Sequence, residues 1–145
     1  PLLAQLNPFR MISGGERLAA PHRAAMIDPE ITRLFLPIAR ATTEIAIFAY
    51  LDSAGRLLAL RHVPSGHAAE VEVPIRAIAG DALAFGADQV MMAHNHPSGK
   101  PEPTRDDLAT TRRIATALDA LGIRLVDHLV LAGGRIISLR ARGLL

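Results

Sequence analysis

The sequence predicts an α/β fold, a single domain in which helices sandwich a mixed β-sheet, and three observations predict it. Two β-type runs flank a tight turn between Thr43 and Val63, a strand–helix–strand order fills Val90 to Ala132, and a Gly133-Gly134 turn sends the chain back. Hairpins pair antiparallel and a crossover pairs parallel, so a sheet built from both is mixed. With 145 residues, 50% of them hydrophobic, the chain can close one buried core and is short for two.

The elements follow in order. Residues 1–27 mix Pro, Gly and Arg without periodicity and are taken as an N-terminal arm or capping segment; residues 28–145 carry the domain. Asp28-Pro29-Glu30 reads as a helix start, with Asp28 as N-cap and Pro29 in the first turn, and the helix should run to about Arg40. Thr43 to Leu51 is a strand, Asp52-Ser53-Ala54-Gly55 a turn and Arg56 to Val63 the hairpin partner. Val71 to Val73 looks extended, and Pro74 opens a helix ending near Gly86. Val90 to His94 is a short apolar run suited to a buried strand. Thr104 starts a helix with Leu108, Thr111, Ala115 and Leu118 on one face, and Gly122 stops it. Ile123 to Ala132 and Arg135 to Leu139 form the final hairpin.

Composition narrows the chemistry. There is no cysteine, which removes disulfides, thiolate metal sites and cysteine nucleophiles, so a metal must sit on His, Asp or Glu. No apolar run is long enough to cross a bilayer and no signal-like leader is visible, so a cytoplasmic protein is expected. Because the chain opens on Pro1 rather than Met, it reads as a trimmed or processed fragment. The pI is high, yet the net charge is only +2, and fifteen Arg and one Lys are spread along the chain with no basic block. Arg in place of Lys, with abundant Ala, reads as the coding bias of a GC-rich genome. Aromatic residues that stack on bases are scarce, so DNA is a weakly supported partner.

The chemistry concentrates in Ala93-His94-Asn95-His96-Pro97-Ser98-Gly99-Lys100-Pro101-Glu102-Pro103-Thr104-Arg105-Asp106-Asp107. Side chains at i and i+2 of a strand share a side, so His94 and His96 can present two imidazoles together while Asn95 points away. The proline-rich loop then leads to a helix whose first turn returns the Asp107 carboxylate towards them. Two His and one Asp give three zinc ligands and leave a fourth position for water. Bland readings exist for each: a strand-end His-x-His is also a common surface pair. Thr104-x-x-Asp107 is also a capping box, a role compatible with metal binding, and Asp106 would serve the helix dipole equally well.

His94-x-His96, seven residues, Thr104, two residues and Asp107 resembles the JAMM (MPN+, JAB) metalloprotease motif, in which an upstream Glu precedes His-x-His, seven residues, Ser, two residues and Asp. His94-Asn95-His96-Pro97-Ser98-Gly99 is similar to the RadC-like branch, as are the stretches from Gly122 to His128 and from Ser138 to Leu145. The resemblance covers about Asp28 to the end. It implies a JAB/MPN-like, cytidine-deaminase-like fold and matches the family's Glu to Glu44, which on its own would pass for a solvated strand-end residue. Thr104 stands where the family has Ser and keeps the hydroxyl. Two other features depart from the pattern: the arm does not read as a helical DNA-binding-like region, and Val73-Pro74-Ile75-Arg76 differs from the usual His-Pro-Arg-Glu.

The resemblance implies a zinc metallopeptidase or isopeptidase with one Zn²⁺ per chain, held by His94, His96 and Asp107. Glu44 would move protons, Thr104 would stabilise the oxyanion, and the partner would be a peptide or an isopeptide-linked protein. Other classes fit less well. In the nuclease class named for the letters H-N-H those residues are not consecutive, and a zinc deaminase needs Pro-Cys-x-x-Cys, which a chain without Cys cannot supply. The remaining rival is a DNA-repair-associated DNA- or protein-binding module with a structural or vestigial metal site, using Arg105, Arg112 and Arg113 as its surface. Asp127 and His128 are neighbours on a strand and point to opposite faces; one could lie near the site and either could be a satisfied buried group. His22, His62 and His67 read as surface residues, and Lys100 and Glu102 as the rim of the cleft.

Overall fold

Caps and turns set the element boundaries in the computed structural model, which describes residues 9–11, 28–64 and 73–145. Asp28 accepts the Glu30 N–H at 2.8 Å and Pro29 occupies the first turn, so helix α1 (Pro29–Phe35) starts where the sequence places it. It does not continue to Arg40 as an α-helix. Pro37 has no N–H to return to the previous turn, and Leu36–Arg40 winds as a tighter 3-10 helix.

Of the N-terminal arm, Phe9–Met11 forms strand β1; the rest, with His22, lies outside the described residues, as do His67 and residues 71 and 72 of the expected extended run. Val73 belongs to no strand. The first hairpin is β2 (Ile45–Leu51) and β3 (Leu57–Pro64), with Asp52 closing the turn by accepting the Ala54 and Arg56 N–H groups. Helix α2 (Ile75–Ala84) follows Pro74, and then come β4 (Gln89–Asn95), α3 (Arg105–Asp119), β5 (Arg124–Ala132) and β6 (Arg135–Ser138). Gly122, at φ +72°, takes the left-handed conformation that lets the chain leave α3 for β5.

Among the described residues, six strands form one mixed sheet in the order β1-β3-β2-β4-β5-β6. Among these described strands only β4 and β5 pair parallel, with α3 as their crossover; the other pairs are antiparallel. Alternation along β2 divides the core into two layers. Ala46, Phe48 and Tyr50 pack with Ile78 and Ala82 of α2 and Ile114 and Leu118 of α3, whereas Ile47, Ala49 and Leu51 pack with Ile31, Phe35 and Ile38 on the opposite face. Tyr50 is fully buried yet satisfied, because its hydroxyl donates to Asp81 of α2 at 3.0 Å and Asp81 also pairs with Arg61 of β3. Burial, then the Asp81 charge, push the phenol upward and keep it a donor. Helices thus cover both faces of a sheet whose parallel pair ends beside the start of α3. Among the described residues, no helix is long and apolar enough to cross a membrane.

Candidate metal centre

His94 follows Val90 and Met92 along β4 and shares their face, the one covered by α2 and α3. It is buried, at 2% exposure. The His96 N–H donates to the Leu131 carbonyl at 2.9 Å, which carries the β4–β5 ladder past the end of β4 and keeps His96 on the side of His94. The two Nε2 atoms lie 2.8 Å apart. Asp107 enters from the first turn of α3, with Oδ1 3.1 Å from His94 Nε2 and Oδ2 3.2 Å from His96 Nε2.

The geometry of Asp107 follows from its cap. Thr104 Oγ1 accepts the Asp107 N–H at 3.0 Å while Asp107 Oδ2 accepts the Thr104 N–H at 2.7 Å, so the capping box that starts α3 also aims the carboxylate at the histidines. Burial works against its charge most strongly. The neighbouring His94 and the bonds from Thr104 together outweigh burial and hold the carboxyl well below the usual range. Asp106 is exposed and takes no part.

The loop between β4 and α3 orients His96. Its Nδ1 lies 2.7 Å from the Lys100 carbonyl, an acceptor only, so Nδ1 carries a proton and, in the neutral ring, the lone pair falls on Nε2. Gly133, at φ +56°, lies against the loop so closely that a Cβ there would stand 2.9 Å from the Gly99 carbonyl oxygen. The β5–β6 turn therefore needs glycine at this position to seat the loop.

These residues pass a test of fit. The His96 imidazole and an ionised carboxylate meet His94 Nε2 at 2.8 and 3.1 Å and stand 3.2 Å from each other, an arrangement that calls for a proton or a cation between the three groups. Their ligand atoms all lie within 4.8 Å of one another, and two His with one Asp is a donor set that suits zinc and leaves a position for water. Among the described residues, this is the group that could hold a metal ion.

Glu44 is half-buried and immediately precedes β2. Ala46 is the cross-strand partner of His94, so Glu44, two residues earlier, belongs to the same face and the same end of the sheet as the histidines. It is not one of the three clustered ligands. Thr104 is exposed at the mouth of the site; its oxygen accepts the capping bond, and its hydroxyl proton is not used by that bond.

Four residues do more than the sequence revealed. Asn95 turns away from the histidines, as alternation requires, but its amide accepts the Ile45 N–H at 2.7 Å and donates to the Thr43 and Ala41 carbonyls at 3.0 and 3.3 Å. These bonds bracket Glu44. His128 is fully buried with Nε2 2.6 Å from His94 Nδ1, and Thr111 Oγ1 lies 2.6 Å from His128 Nδ1. Burial, reinforced by the neighbouring His94, pushes His128 down to about 3. Asp127 faces the other way and caps the chain end, accepting from Ser138 Oγ at 2.5 Å and the Arg140 N–H at 3.0 Å. His62, Lys100 and Glu102 are exposed.

A family model described as the RadC-like JAB domain matches residues 28–144. Two curated relatives from Xanthomonas oryzae pv. oryzae, strains PXO99A and KACC10331 / KXO85, both called UPF0758 protein, are 34% identical over 142 residues, which is 97% of this chain and 60% of theirs. The chain therefore spans about 60% of the length of these relatives.

Proposed function

The chain belongs to the RadC-like JAB domain family, and from that premise we propose that it is a zinc-dependent hydrolase that cleaves a peptide or isopeptide bond, with one zinc per chain. The observation that carries this reading is the convergence of His94, His96 and Asp107 at the end of β4, on the face and at the edge where Glu44 enters β2. When bound, zinc supplies a water acidified to a pKa of around 7 and a Lewis acid for the attacked carbonyl.

The chain's own groups do the rest. Glu44 takes a proton from the attacking water and returns it to the leaving nitrogen. Asp107 stays ionised and aimed because Thr104 N–H holds its Oδ2. The Thr104 hydroxyl, whose oxygen is occupied by the Asp107 N–H, directs its proton to the oxyanion as charge develops there. The loop carbonyl of Lys100 keeps the His96 lone pair pointed inward. A second reading rests on Arg105, Arg112 and Arg113, all exposed on α3: a DNA- or protein-binding module whose metal is structural.

Elemental analysis and one variant separate these readings. The purified protein should carry one zinc, and Glu44→Gln should retain it while hydrolysis of peptide and isopeptide substrates is abolished. A Glu44→Gln protein without zinc would make Glu44 a ligand, and one that hydrolyses normally would put the base elsewhere. DNA binding that stays tight at physiological salt and is lost when the three arginines become Ala, with no hydrolysis by the zinc-loaded protein, would favour the binding module.

A further inference from the structure

The geometry points to Thr111 and His128 as positioning residues that set the tautomer of His94, leaving its Nε2 as a lone pair aimed at the metal position. This rests on the metal-site reading above and deepens it by explaining how a histidine inside a sheet is made a ligand.

The chain of hydrogen bonds has one end whose polarity is fixed. The Asp107 carbonyl can only accept, and Thr111 Oγ1 lies 2.6 Å from it, so the Thr111 hydroxyl donates there, one helical turn back. A hydroxyl has one proton. Towards His128 Nδ1, 2.6 Å away, Thr111 must therefore accept, and His128 carries its proton on Nδ1. His128 is fully buried, and its ring nitrogens meet a hydroxyl and an imidazole rather than a carboxylate, so a second proton would be an unpaired buried charge. Its Nε2 is consequently bare. His94 Nδ1, 2.6 Å from that nitrogen, must be the donor, and the lone pair of His94 falls on Nε2. That atom is the one that faces His96 Nε2 at 2.8 Å and Asp107 Oδ1 at 3.1 Å.

His96 reaches the same state by a shorter route, through the Lys100 carbonyl of its own loop. His94 has no such loop. It sits in β4 between two partner strands, where backbone carbonyls are engaged in the ladders, so its orienting partner has to be a side chain from the neighbouring strand. An imidazole there can accept or donate, and Thr111 removes the ambiguity. The relay starts at one ligand, His94, and ends on the backbone of another, Asp107, so the two ligand-bearing elements are tied by the same bonds that set the tautomer.

The test uses Thr111→Val, which keeps the shape and removes the hydroxyl, and Thr111→Ser, which restores it. In the zinc-free wild type, long-range nitrogen–proton NMR should show His94 protonated on Nδ1. In Thr111→Val, His128 loses its acceptor and shifts its proton to Nε2, which should move the His94 proton to Nε2 as well. Zinc affinity, measured against a competing chelator, should fall by about 10- to 100-fold in Thr111→Val and return towards wild type in Thr111→Ser. If Thr111→Val does not fold, His128→Gln and His128→Leu make the same comparison, since only the Gln amide can both accept from His94 and donate to Thr111. An unchanged His94 tautomer with unchanged zinc affinity in Thr111→Val overturns the proposal and leaves the metal site standing. The tautomer shift in a protein that binds no zinc upholds the relay and overturns the metal site.

Discussion

Asn95 Oδ1 accepts the Ile45 N–H at 2.7 Å, so the strand that carries His94 is bonded through a side chain to the segment that carries Glu44. The same amide donates to the carbonyls of Thr43 and Ala41, and Asn95 is 1% exposed. A backbone group left unpaired in such a place costs about 1–3 kcal/mol. Asn95→Leu keeps the volume and removes every one of these bonds. It should lower stability by at least that amount in urea unfolding, retain zinc because the ligands lie on the other face, and lose more hydrolysis than its folded fraction accounts for. Loss of zinc from a folded Asn95→Leu would show that the residue supports the ligands instead of Glu44.

Thr104 combines two roles that can be separated by substitution. Its side chain caps α3 through the Asp107 N–H, while its backbone N–H holds Asp107 Oδ2. The backbone bond survives any substitution except Pro, so zinc should remain in Thr104→Ala. Stability should fall by about 1 kcal/mol for the missing cap, and turnover by about 10²-fold for the missing oxyanion donor. Thr104→Ser should behave as the wild type in both denaturant unfolding and steady-state hydrolysis. A Thr104→Ala protein that loses stability but no turnover would leave the residue as a cap alone.

The adjacent carboxylates make an internal control. Asp106 and Asp107 both lie in the first turn of α3, where either favours the helix dipole, but only Asp107 stands within 3.2 Å of both His94 and His96 Nε2. Elemental analysis should find zinc lost from Asp107→Ala and from His96→Ala and kept in Asp106→Ala. Equal loss from the two Asp variants would mean that the helix terminus, and no particular carboxylate, sustains the site.

Local chemistry made much of this legible in advance. The Asp28 cap, the Asp52 turn, the Thr104 capping box and the Gly122 stop are each set by a side chain and its near neighbours, and the structure places each of them where the sequence does. The His94 and His96 pairing needs only the two-residue period of a strand. Contacts between distant segments were not readable. Pro37 turned the end of the first helix into a 3-10 segment, and the bonds from Asn95 join residues about fifty positions apart. The choice between Asp127 and His128 depended on a register shift in the parallel pair: Val90 pairs with Leu125 but Met91 pairs with Asp127, so Val126 is skipped. Strict alternation from Leu125 would have put Asp127 on the metal face. The shift reverses the phase and puts His128 beside His94 instead.

That placement also gives the fold a measurable acid sensitivity. His128 has a folded-state pKa of about 3 against 6.5 for the free side chain, with burial as the main cause. Between these values the unfolded chain binds a proton that the folded chain refuses, so stability falls as pH falls, by up to about 1.4 kcal/mol per pH unit from this group. The contribution is fully present above about 6.5 and is lost as pH drops through the window to about 3. Asp107, also depressed, adds a loss only below the ordinary carboxylate value of 3.8. With zinc removed by a chelator, so that metal release cannot contribute, the urea midpoint should decline steadily from pH 7 to pH 4. His128→Gln, which has no titrating ring, should start less stable and decline much less over the same interval. A His128→Gln profile parallel to that of the wild type would place the acid sensitivity elsewhere in the molecule.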